Sequence, residues 1–137
     1  MSEQDELQQV LALKTKDQDL TFLNSIVNKL NIGIGITLFV KGSVITGSLI
    51  AGRKYYQLVS DDLKTYGEFG EALSAYFETK GKDGYTSEDP NFEYPDNFLH
   101  LENIKVRCDN GQMGPLGNAM LRVKIDEIDG HFIGNIV

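Results

Sequence analysis

The tightest constraint on how this chain can fold is a change of hydrophobic period at Asn31–Gly33. Upstream, in DLTFLNSIVNKLN (19–31), Leu23, Ile26, Val27 and Leu30 fall at i, i+3, i+4 and i+7. That spacing puts four apolar side chains on one face of a helix. Downstream, in NIGIGITLFVK, Ile32, Ile34, Ile36, Leu38 and Val40 alternate with Gly33, Gly35, Thr37 and Phe39. A period of two belongs to a strand with one buried face. The backbone must therefore switch conformation between them, and Asn31 and Gly33 are residues that stop a helix. Asp19 is the expected N-cap, because its carboxylate can accept from first-turn N–H groups.

The face opposite the isoleucines carries Gly33 and Gly35, so another segment can approach it closely or the sheet can bend there. Lys41-Gly42 reads as a tight turn, with Gly42 adopting positive φ at little cost. The run Ser43 to Ile50 returns as the second strand of a hairpin. From Arg53 to Thr79 the spacing is helical again, through Tyr55, Val59, Leu63, Tyr66, Phe69, Leu73, Tyr76 and Phe77. Gly67 and Gly70 weaken that helix by about 1 kcal/mol each relative to alanine. A bend at Tyr66-Gly67 is expected, and the aromatic stripe is read as core packing.

Residues 80–97, KGKDGYTSEDPNFEYPDN, read as an acidic loop. Their carboxylates lack the ligand order of a calcium-binding loop. In FLHLENIKVRC the alternation slips at Glu102-Asn103, the mark of a β-bulge. A glycine-rich connection follows, then alternation through Leu121, Val123 and Ile125. Asp129-Gly130 reads as a second hairpin turn before HFIGNIV. The expected fold is α+β. An N-terminal helix, a β-hairpin, a central helix and about three further strands form a curved, mainly antiparallel sheet or small open barrel. Residues 1–18, with a short helical pattern at Leu7, Val10 and Leu11, are read as an N-terminal extension, and 19–137 as a single domain.

Composition narrows the function. A formal net charge of -7 with only 13 Lys and Arg, spread along the chain, opposes binding to a phosphate backbone. The opening MSEQDELQQV is acidic and polar, unlike a secretory signal, and no apolar run approaches the roughly 18 residues of a membrane span. A single cysteine, Cys108, excludes an internal disulfide and fits a reducing cytoplasm. Cys108 with His100 or His131 is the sole combination that could make a nucleophile and base. Cys108 continues the Ile104–Val106 phase, so it is read as a buried, inert thiol, and His131, just after a turn, as a surface side chain. No metal-ligand spacing appears, and GIG at 33–35 lies inside a strand instead of opening a helix. The polar residues do not converge on a reaction centre, so a non-enzymatic binding or assembly protein without cofactor or metal is expected.

Three pieces are more specific: L-x-V-x-G-x-V-I-x-G at Leu38–Gly47, F-L-H-L-E-N at Phe98–Asn103 and I-D-G-H-F-I-G-N-I at Ile128–Ile136. In this order, from about Leu20 to Ile136, the chain resembles the gas vesicle accessory protein U family. The resemblance implies a cytoplasmic accessory protein that is not an enzyme. It would act in vesicle assembly or clustering, through contacts with itself and with vesicle proteins or surfaces. An interface would then involve the central helix face, with Tyr55, Tyr56, Tyr66 and Phe69 as the residues expected there. GSVITGSLIAGRKYYQLVSDD also looks like the first strand pair of Sm-like small barrels, which implies RNA or ligand binding as an alternative. The acidic charge opposes the RNA form of it.

Overall fold

The computed structural model describes residues 3–4 and 17–136, and the Leu7–Val10–Leu11 pattern lies outside them. Helix α1 (Gln18–Leu30) leads into strands β1 (Ile34–Val40) and β2 (Ser43–Ile50). Helix α2 (Gly52–Leu63), a 3-10 turn (Lys64–Tyr66) and helix α3 (Gly67–Tyr85) follow. Strands β3 (Phe98–Arg107), β4 (Met113–Pro115), β5 (Leu121–Lys124) and β6 (Gly130–Ile133) complete a six-stranded antiparallel open sheet. The order is β4-β3-β2-β1-β6, and β5 pairs beside β4 on the same edge of β3. This is the α+β layout that the periodicities predict.

The hairpin forms where expected. Val40 pairs with Ser43, and Lys41 and Gly42 take φ of 50° and 83°, the left-handed pair a two-residue turn requires. The β3 slip is a bulge at Asn103, φ 52°, where the register against β2 shifts between Thr46 and Ser48. Gly47 lies opposite it, and a Cβ there would sit 2.9 Å from the Glu102 carbonyl oxygen. The close approach foreseen at the glycine face is also present. The Asn135 side chain lies 3.2 Å from where a Cβ of Gly35 would be, and its Oδ1 accepts from Thr46 Oγ1.

Asp129-Gly130 does not make a hairpin, because β5 and β6 lie at opposite edges of the sheet. A 3-10 turn, Ile125–Glu127, intervenes, with Ile125 anchored in the core. Ile125 N still bonds Asn97 O beside β3, and Asp129 N already bonds Phe39 O on β1. Four residue steps, two of them in a 3-10 turn, reach only about 11 Å. In a flat sheet those edges would be about 19 Å apart at 4.8 Å per strand. The sheet must therefore curl until its edges approach, which encloses Ile36, Leu38, Leu49, Leu99, Leu101, Ile104 and Ile125.

Helix α1 closes one side, rotated from its predicted setting. Its buried residues are Leu20, Asn24, Val27 and Asn28, and Leu30 is 63% exposed. The N-cap is Asp17, not Asp19: Asp17 Oδ1 accepts from Asp19 N at 2.8 Å and Leu20 N at 3.2 Å. The rotation follows from what the two asparagines can bond. Asn28 Nδ2 donates to Asn24 O, and Asn28 Oδ1 accepts from Gly52 N at 2.8 Å. Gly52 opens α2, whose N-cap Ala51 has no side chain able to serve it. Asn28 thus caps a helix 24 residues away. Asn28→Ala removes that acceptor and leaves a buried N–H unpaired, an expected loss of about 2–3 kcal/mol. Urea unfolding should show a lower midpoint with an unchanged slope.

Candidate functional site

Helices α2 and α3 form an antiparallel hairpin, bent at Gly67 (φ 78°), as the glycine signal predicted. Its two halves meet through small residues. Ser60 Oγ and Ser74 Oγ lie 2.7 Å apart, a Cβ on Gly81 would stand 2.8 Å from Tyr56 Cβ, and a Cβ on Gly70 would strike the Leu63 carbonyl. The buried face of α3 is therefore Gly70, Ser74, Gly81 and Tyr85. This face sets the opposite side of the helix free. Phe69 is 76% exposed, Tyr66 66%, Tyr76 57% and Leu73 37%. The stripe read as core packing thus divides, and its α3 half faces outward. Gly70, Ser74 and Gly81 also recur at helical spacing, but small residues are weak signals of burial beside large aromatics.

The α2 half of the stripe turns inward and meets the sheet. Tyr56 is 8% exposed and packs against Phe77, Tyr85 and His100, with ring centroids 6.2, 5.6 and 5.9 Å away. Tyr55 lies against His100 at 4.5 Å. From β5, Arg122 reaches into this cluster. Its Nη1 donates to Tyr56 Oη at 2.7 Å and to His100 Nε2 at 3.0 Å, and Phe98 stacks 3.8 Å from its guanidinium carbon.

The electrostatics of the cluster follow from burial. His100 has no exposed surface, and desolvation, reinforced by the Arg122 charge, lowers its pKa to about 3. The imidazole is neutral at physiological pH. A guanidinium only donates, so Nε2 accepts and the ring proton sits on Nδ1. That Nδ1 and the Tyr85 hydroxyl are both buried without a hydrogen-bond partner. Burial raises the Tyr55 and Tyr85 phenols; the Arg122 charge opposes this at both, and at Tyr85 the polar contact with Arg122 opposes it as well.

The four interface candidates therefore occupy two places. Tyr66 and Phe69 lie on the exposed side of the hairpin, while Tyr55 and Tyr56 join the inner cluster. The cysteine and histidines are not brought together: His100 is on β3, His131 on β6 at the far edge, and Cys108 past the end of β3. Cys108 is exposed instead of buried, because β3 ends at Arg107 and the chain turns away. The His131 side chain is only 17% exposed, tucked 3.6 Å from Asp17 Oδ2 at the start of α1. Asp17, Asp19 and His131 cluster there, with Asp17 already spent as the helix cap. The acidic loop begins later than predicted, because α3 continues to Tyr85, whose ring packs over Gly52. Arg122 was not singled out by any sequence signal; an arginine in an alternating strand reads as solvent-facing.

No helix among the described residues is long and apolar enough to cross a membrane. A family model described as gas vesicle protein GvpU-like matches residues 17–136. Neither a curated protein nor a solved structure matches the chain.

Proposed function

The chain belongs to the gas vesicle protein GvpU-like family, and from that premise we propose that it is a non-enzymatic, cytoplasmic accessory protein of gas vesicle assembly or clustering. It works by self-association and by contacts with vesicle proteins. The observation that carries this reading is the outward face of α3. Phe69, Leu73 and Tyr76 follow helical spacing, Tyr66 precedes them in the 3-10 turn, and all four are exposed. A contiguous apolar row of that kind marks an interaction surface. The occupant we assign to that row is a second copy of the chain. Tyr56, buried in the monomer, offers no platform for a stacked base, which weakens the RNA-binding alternative.

Phe69→Glu tests the reading directly. The position is 76% exposed, so the fold should tolerate the change. Light scattering should show a mass well above one chain for the unaltered protein and a single chain for the variant. In flotation with purified gas vesicles, the unaltered protein should rise with them and the variant should remain in the subnatant. An unaltered protein of monomeric mass that also stays below the vesicles would count against the proposal.

A further inference from the structure

Beside the His100 cluster lies a cavity of about 660 Å³, walled by Arg122, Tyr56 and Tyr85 on one side and by Ala75, Tyr76 and Lys80 of α3 on the other. We propose that this cavity binds a small organic carboxylate carried on an apolar body, with Arg122 as its counter-ion. The proposal rests on other observations than the assembly reading, though Tyr76 belongs to both surfaces. It rests first on how Arg122 is held. Both hydrogens of Nη1 are taken by uncharged partners, Tyr56 and His100, and Phe98 stacks on the guanidinium. Among the described residues no carboxylate pairs with Arg122, and besides Tyr56 and His100 its polar neighbour is the Tyr85 hydroxyl. A half-buried guanidinium oriented by neutral groups is a fork prepared for a planar, bidentate oxyanion.

The surroundings select the rest of the ligand. Lys80 adds a second positive charge and Asp83 a single negative one on the same rim. Tyr76, Tyr85 and Ala75 give the walls apolar surface that a bare inorganic anion would not use. The Tyr85 hydroxyl, on a side chain 4% exposed, is buried with Arg122 as its polar neighbour but outside good hydrogen-bond geometry, and its ring packs edge-on against His100. A ligand oxygen would satisfy this buried hydroxyl and the guanidinium together.

The test uses the full chain and 3-phenylpropionate as probe, with 3-phenylpropanamide and inorganic phosphate as comparisons, read by calorimetry and by side-chain N–H resonances of arginine. Saturable binding of the carboxylate is expected, with the amide and phosphate each about tenfold weaker or more. Arg122→Gln should lose at least that factor. Should Arg122→Gln fail to fold, Ala75→Trp serves instead: the site is exposed, and the indole would obstruct the cavity from its α3 side. Equal affinity for the amide, or for phosphate, overturns the proposal. So does carboxylate binding that survives Ala75→Trp unchanged, or no saturable binding at all.

Discussion

Lowering the pH from 6.5 to 4.5 is expected to destabilise this protein by about 2 kcal/mol through His100 alone, the slope approaching roughly 1.4 kcal/mol per pH unit below 6. The folded chain holds this imidazole neutral, with a pKa of about 3, because the ring has no contact with water and faces the Arg122 charge. The unfolded chain binds a proton near the ordinary value of 6.5. Between those limits the unfolded state carries one proton more, so stability rises with pH and is lost as the pH falls. The contribution is complete above 6.5 and gone near 3. Urea midpoints at pH 7.5, 6.0, 5.0 and 4.5 measure the slope. His100→Gln keeps an acceptor for Arg122 without a proton to gain, and its curve over that window should be flatter by one proton. An identical slope in both proteins would sink the assignment.

The second large effect concerns the helical hairpin, and its sign is informative. In an isolated helix, glycine to alanine stabilises by up to about 1 kcal/mol. Gly84→Ala should approach that gain, since a Cβ there meets nothing within 4 Å. Gly70→Ala should do the opposite. Its Cβ would run into the Leu63 carbonyl and lie 2.9 Å from Tyr66 Cβ. A backbone carbonyl cannot rotate away as a side-chain tip can, so the turn between α2 and α3 must deform. An expected loss of about 2–3 kcal/mol replaces the propensity gain. Thermal unfolding of the two variants beside the unaltered protein decides it. Stabilisation by both would mean that the hairpin is looser than the packing of Gly70 implies.

Between His100 and Gly70 lies the boundary of what periodicity can reveal. Helix α1, the β1–β2 hairpin, the bend at Gly67 and the bulge at Asn103 all rest on local rules: a repeat, a turn pair, a positive φ. Such features were readable because the residues responsible are neighbours in the chain. The errors occur where a distant group overrode the local pattern. Leu30 fits the apolar repeat of α1, yet Asn24 and Asn28 turn inward, because Gly52 N needs an acceptor and Pro95 O a donor. Asp129-Gly130 has the composition of a hairpin turn, yet the core position of Ile125 and the bond to Phe39 O carry the chain to the other edge. Cys108 keeps a buried phase that the end of β3 cancels.

The candidate sites follow the same division. Tyr66 and Phe69 were legible as members of an apolar stripe, but not which way the stripe would point. That was decided by Gly70, Ser74 and Gly81, whose small size admits α2 and expels the large side chains to solvent. Arg122 was illegible, since what distinguishes it is the company of Tyr56, His100 and Phe98 from three other elements. Alone, the order of residues determined the alternation of helix and strand and the antiparallel sheet. Only the folded molecule decided which helix face meets water and which arginine is gathered among Tyr56, His100 and Phe98. Those outcomes depend on packing volumes and hydrogen-bond demands that arise between segments far apart in the chain.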